Sequence, residues 1–196
     1  MPESGGPRIV GIGASAGGLP ALQAFFAQLP ADTDCAYVVV QHMGPDRESL
    51  LGPLLQQVTA LPVYGAEDGV VMLANAVYVM SSDGALTVER GCLHFRSSHW
   101  VPGGRGPHLT IDDFLTSLAQ DQGDRAVGVI LSGMGSDGVQ GLTPIHSRGG
   151  RCRAQQPDTA AFASMPQSAI DADCVDVVAA PQDMPERIVQ SLQSPV

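Results

Sequence analysis

The chain has 196 residues, 44% of them hydrophobic, and its 20 acidic side chains outnumber 10 basic ones, all arginine, for a formal charge of −10. That length suits one domain with a substantial core, and an acidic balance disfavours nucleic acid or an anionic membrane surface as a partner. No apolar run approaches the ~20 residues of a spanning helix, Met1–Pro7 has no signal-peptide features, and Cys35, Cys92, Cys152 and Cys174 form no C-x-x-C pair, so a cytoplasmic protein with reduced thiols is expected.

Residues 8–18 read RIVGIGASAGG, an apolar run closing in glycines around Ser15. Ile9, Val10 and Ile12 predict a buried strand, and Leu19–Leu29 a helix. Three readings fit this junction. Gly13 to Gly17 matches the G-x-S-x-G turn that presents a nucleophile. Gly11-x-Gly13-x-x-Ala16 matches a dinucleotide fingerprint. The third reading is a glycine-rich turn with a capping serine.

Further along, Cys35–Val40 predicts a strand covered on both faces and Asp46–Val58 a helix. Gln41-His42 stands where a dinucleotide fold needs an acidic residue for the ribose, which counts against the nucleotide reading. Pro62-Val63-Tyr64 is a candidate short strand. Val77–Met80, Leu86–Val88 and Leu93–Phe95, joined by tight turns, predict antiparallel strands at the sheet edge.

Ser97–Leu109, rich in Gly and Pro, reads as a surface loop, and Thr110–Ala119 as a helix with Asp112 and Asp113 at its positive end. Ala126–Leu131 is a third apolar strand, leading into SGMGSDG and a helix to about His146. Strands at Arg151–Gln155 and Val175–Val178, a short helix opened by Pro166 and a closing helix over Met184–Leu192 complete the chain. Alternating strands and helices imply an α/β fold: a doubly wound, mainly parallel sheet with helices on both faces and an antiparallel hairpin at one edge.

Ser15, His42 and Asp137 each follow one of the three most apolar strands. Parallel strands would bring all three to one sheet edge, where ligands bind in open α/β folds. Serine needs a base to become a nucleophile, imidazole can take and return its proton, and a carboxylate orients the imidazole and stabilises its cation. The Ala16 amide, next after the nucleophile, is a candidate oxyanion donor. The bland alternatives are a structural histidine and an aspartate capping the helix that follows it.

The segments GIGASAGG (11–18), QHM (41–43) and LSGMGSDG (131–138), with Met165-Pro166 beyond them, closely resemble the catalytic domain of the chemotaxis receptor methylesterase, CheB. The resemblance runs in order through nearly the whole chain. It implies Ser15 as nucleophile, His42 as general base, Asp137 as orienting acid and the Met134 amide as an oxyanion donor. It implies hydrolysis of γ-glutamyl methyl esters on cytoplasmic chemoreceptor helices, releasing methanol, with glutamine deamidation in many members. No cofactor or metal is implied, and the histidine spacings support no metal site.

Two departures qualify the resemblance. Arg8 opens the catalytic domain after a short tail, residues 1–7, so one domain over 8–194 without a receiver domain is expected. Met80-Ser-Ser-Asp-Gly84 replaces the family's Pro-Gly segment and is similar to modules fused to a receptor methyltransferase and sensor kinase. The expected partners are methyl-accepting receptor helices or a related methylated signalling protein. A non-catalytic regulatory module that keeps the fold is the alternative. Arg96 and Arg105 read as solvated charges, with an acidic receptor helix as their other use, and Trp100 as a contact residue or a loop anchor.

Overall fold

The computed structural model describes residues 6–41, 50–80, 84–97 and 109–193. Strands β1 (Arg8–Ala14), β2 (Cys35–Gln41), β3 (Val63–Gly65), β4 (Ala76–Val79), β7 (Val127–Ile130), β8 (Arg151–Gln155) and β9 (Val177–Ala179) form one sheet in the order β3-β4-β2-β1-β7-β8-β9. Every pairing in it is parallel. Strands β5 (Gly84–Glu89) and β6 (Cys92–Ser97) form a separate antiparallel ribbon.

Helices α1 (Gly18–Ala27), α2 (Leu51–Gln56) and α6 (Met184–Gln193) pack on one face of the sheet; α3 (Thr110–Gln122), α4 (Val139–Ser147) and α5 (Ser164–Asp171) pack on the other. The period-two alternation of each strand sorts its side chains between these layers. Val10, Ile12, Tyr37 and Val39 pack against Leu22, Phe25 and Phe26 of α1. Ile9, Val38 and Val40 join the opposite core with Phe114, Leu115 and Leu118 of α3.

Gly11 and Gly13 lie inside β1, not in the turn after it. A Cβ at Gly11 would fall 2.8 Å from Leu115 and one at Gly13 2.4 Å from Ile111. These glycines let α3 lie close on the sheet; they do not line a phosphate loop, and the dinucleotide reading loses its structural basis.

The strand at Ala76–Val79 departs from the sequence expectation. It pairs parallel with β2 and β3 inside the main sheet instead of beginning the antiparallel run. All four of its residues are buried, which suits a strand flanked on both edges and covered on both faces. The antiparallel hairpin is β5–β6 alone. It packs on α3, where the Val88 N–H donates to Ser117 Oγ (3.0 Å) and Asp121 accepts the N–H groups of Arg90 and Gly91 at the hairpin turn. The second helix is described from Leu51 onward and the last strand runs over Val177–Ala179.

Candidate functional site

The sheet changes direction between β1 and β7. After β1 the chain builds outward through β2, and it later returns to place β7 on the other side of β1. Ligand sites of open α/β sheets lie outside the carboxyl ends of two such strands. Ser15 leaves β1 there, and residues 131–138 leave β7.

Ser15 is half-buried, and its N–H donates to the Ser132 carbonyl at 3.0 Å. Its own carbonyl accepts the Gly18 N–H at 2.9 Å and lies 3.5 Å from the Gln41 side-chain amide. Gly17 takes the left-handed conformation (φ 66°) that starts α1, a geometry cheap only for glycine. No acidic residue stands in the first turn of α1, so its positive end faces the Ser15 turn uncompensated.

The β7 loop lies directly against this turn. A Cβ on Gly133 would stand 3.0 Å from Ser15 Cβ and 2.5 Å from Met165 Cε, so only glycine allows the approach. Ser132, fully buried, joins three segments: its hydroxyl donates to the Ala16 carbonyl (2.9 Å) and accepts the Phe162 N–H (3.0 Å), and its N–H donates to Gln155 Oε1 (2.8 Å). The Gly133 carbonyl accepts the Met165 N–H at 3.0 Å at the start of α5. Among the described residues, nothing accepts the N–H of Ala16 or of Met134. Backbone N–H groups without an acceptor, near a serine hydroxyl, are the donors that an oxyanion formed at an attacked carbon requires.

Asp137 is 6% exposed, and its carboxylate accepts the N–H groups of Ile111 (3.1 Å) and Asp112 (2.9 Å) in the first turn of α3. The N-cap of α4, the helix that follows it, is Gly138. The Asp112 carboxylate, buried in turn, accepts the Gly141 N–H of α4 at 2.8 Å, while its Oδ2 has no partner among the described residues. Burial pushes the Asp112 carboxyl above the ordinary carboxylate range; the Gly141 N–H opposes that shift and the Asp137 charge adds to it.

The structure therefore packs the β7 loop, in which Met134 follows Gly133, against the turn of Ser15 and Ala16, and holds Asp137 in the segment that leaves the same edge of the sheet. His42 follows directly on Gln41, the register partner of Ala14, and lies outside the described residues, as do Met43, His99, Trp100, Arg105 and His108. His94 and His146 each lie 3.8 Å from an aspartate, Asp68 and Asp176 respectively. Among the described residues no group of His, Cys, Asp and Glu is placed to hold a metal ion, and no helix is long and apolar enough to cross a membrane. Sequence reasoning missed Ser132, Gln155 and the inward face of Asp112. Each is a polar residue inside an otherwise apolar strand end or helix turn, a signal too common to single out.

The family model described as CheB methylesterase matches residues 10–188. A protein-glutamate methylesterase/protein-glutamine glutaminase of Nitratidesulfovibrio vulgaris is 33% identical over 185 residues, 94% of this chain and 50% of that protein. Its counterpart in Treponema pallidum is 36% identical over 186 residues, 93% of this chain and 45% of that protein. The chain thus spans about half the length of the curated relatives it matches. The crystal structure of the Thermotoga maritima CheB methylesterase catalytic domain superposes with a TM-score of 0.84 at 29% identity, covering 94% of this chain and 98% of that one. With its model matched from the first core strand to the last helix, this chain belongs to the CheB methylesterase family.

Proposed function

We propose that this chain is a serine esterase that hydrolyses γ-glutamyl methyl esters on the cytoplasmic helices of methyl-accepting chemoreceptors. The observation that carries the reading is the Ser15 turn itself: a serine at the switch point of the sheet, followed by Ala16 and packed against the loop of Met134, whose N–H groups have no acceptor among the described residues. Residues 8–194 act as one catalytic unit in this reading.

The roles follow from charge. Ser15 Oγ attacks the ester carbonyl carbon as His42 takes its proton, and Asp137 offsets the positive charge on the imidazole. The carbonyl oxygen becomes an oxyanion, held by the amides of Ala16 and Met134; each such donor is worth about 10²–10³ in turnover. Collapse expels methanol, protonated by His42. Water, deprotonated by His42, then hydrolyses the Ser15 ester, freeing glutamate and restoring the serine. The same cycle on a glutamine side chain releases ammonia, the activity named second in the relatives.

Incubating the protein with receptor fragments carrying methyl-labelled glutamates tests the reading. Methanol release that Ser15→Ala abolishes, at an unchanged melting temperature, is expected. A fall of less than about tenfold would remove Ser15 as nucleophile. No release by folded wild-type protein would favour a non-catalytic module.

A further inference from the structure

Met134 lies between two glycines, and Gly135 has a φ of 82° with open space around it. Such a backbone has little intrinsic preference for one orientation of its peptides. Its orientation is set from outside: the Met165 N–H (3.0 Å) holds the Gly133 carbonyl, Ser168 Oγ (3.4 Å) holds the Gly135 carbonyl, and one hydroxyl reaches both sides of Met134. Ser164 Oγ donates to the Gly133 carbonyl (3.3 Å) and accepts the Gly135 N–H (3.1 Å). One side chain thus clasps both peptides that flank Met134.

The peptide unit is planar and trans, so the Gly133 carbonyl and the Met134 N–H point in opposite directions. Drawing that carbonyl towards Ser164 and the Met165 N–H turns the Met134 N–H away from α5. The same two bonds polarise the peptide, strengthening its N–H as a donor. Ser164 is the first residue of α5, and the N-cap before it, Ala163, provides no side-chain cap. The Ser164 hydroxyl is turned instead to the β7 loop.

We propose that Ser164 is a positioning residue that holds the Met134 N–H in the orientation an oxyanion requires. This rests on the esterase reading above. Ser164 is exposed, so removing its hydroxyl leaves the core intact and loosens only the loop. The oxyanion then meets a donor that is present but less well directed, which affects the transition state more than substrate binding.

The test compares Ser164→Ala, Ser164→Thr and Ser15→Ala in the whole chain, by methanol release from methylated receptor fragments and by binding of phenylboronic acid, which forms a tetrahedral adduct on serine. For Ser164→Ala, kcat should fall about 5- to 30-fold, a fraction of the loss from deleting an oxyanion donor, and boronate affinity should weaken by a similar factor. KM and melting temperature should stay near wild type, and Ser164→Thr, which keeps the hydroxyl, should recover kcat to within about twofold. The inference is overturned if Ser164→Ala keeps wild-type kcat, if its loss appears in KM alone, or if threonine fails to rescue. Turnover surviving in Ser15→Ala would instead overturn the esterase reading, and the Ser164 role with it.

Discussion

Asp137 and Asp112 cap each other's helices. Asp137, just ahead of α4, accepts the Ile111 and Asp112 N–H groups at the start of α3, and Asp112, in that first turn, accepts the Gly141 N–H of α4. Each carboxylate satisfies donors of a helix it does not begin, so the two amino termini are tied together. The loop that carries Met134 runs from β7 to this tie, and the position of Asp137 is thus set by α3.

Replacing Asp137 by Asn removes one of two acceptor oxygens and sets an amide N–H against a backbone N–H. Stability should fall by about 1–2 kcal/mol. Turnover should fall much further, by roughly two to four orders of magnitude, because an amide favours the wrong imidazole tautomer. Urea unfolding and ester hydrolysis on the same protein separate the two effects. Near-normal turnover with reduced stability would leave Asp137 as a cap only.

Asp112→Asn makes a prediction about pH. Burial holds the Asp112 carboxyl above its ordinary value, so the folded state binds its proton more tightly than the unfolded chain. That contribution to stability is complete below the unfolded value, near ~3.9, and is lost as pH rises through the higher native value. Asparagine keeps an oxygen for Gly141 and carries no such proton. Unfolding free energies from pH 4 to 7 should therefore shift progressively in favour of Asp112→Asn. A difference that stays flat across this range would show that the carboxyl titrates alike in both states.

Gly133→Ala should harm both stability and rate. The new methyl would meet Met165 Cε at 2.5 Å and Ser15 Cβ at 3.0 Å. Methionine can bend away, but Ser15 Cβ is fixed by a strand end, so the loop must move. A loss of about 1–3 kcal/mol is expected, with a drop in kcat of at least about tenfold as the Met134 amide shifts. Thermal melting and steady-state kinetics check both numbers; unchanged kinetics would mean that this approach does not set the donor's position.

Gly11→Ala tests the packing role of the fingerprint glycines. Its methyl would press on Leu115, Phe114 and Leu118 at 2.8, 2.9 and 3.0 Å. Overpacking should cost about 1–3 kcal/mol in urea unfolding. Millimolar NAD should leave the melting temperature of the wild-type protein unchanged, whereas a ligand bound at β1 would raise it by mass action.

The Ser15 turn was legible in the chain because its signals are local. A serine held between an apolar strand and a helix by Gly-x-Ser-x-Gly is a pattern of five residues, and the structure places Ser15 at that junction. The apolar runs at β1, β2 and β7 announced buried parallel strands by composition alone. Short turn spacing misled at β4. It suggests which strands are neighbours in sequence, but pairing direction depends on which edges are free, and β2 offered one.

The sequence by itself determined the elements, the α/β class and the residue types able to perform acyl transfer. Periodicity, turn chemistry and motif spacing all act within a few residues. Only the tertiary structure decided what those residues touch. Ser132 reaches Ala16 across 116 positions, Ser164 reaches Gly135 across 29, and Asp137 reaches Ile111 across 26. Such partners are chosen by how the two helical layers settle on the sheet, a collective balance of core packing that no local pattern encodes. The same packing set the Asp137 carboxylate against the start of α3, and gave a first-turn serine of α5 a loop to hold.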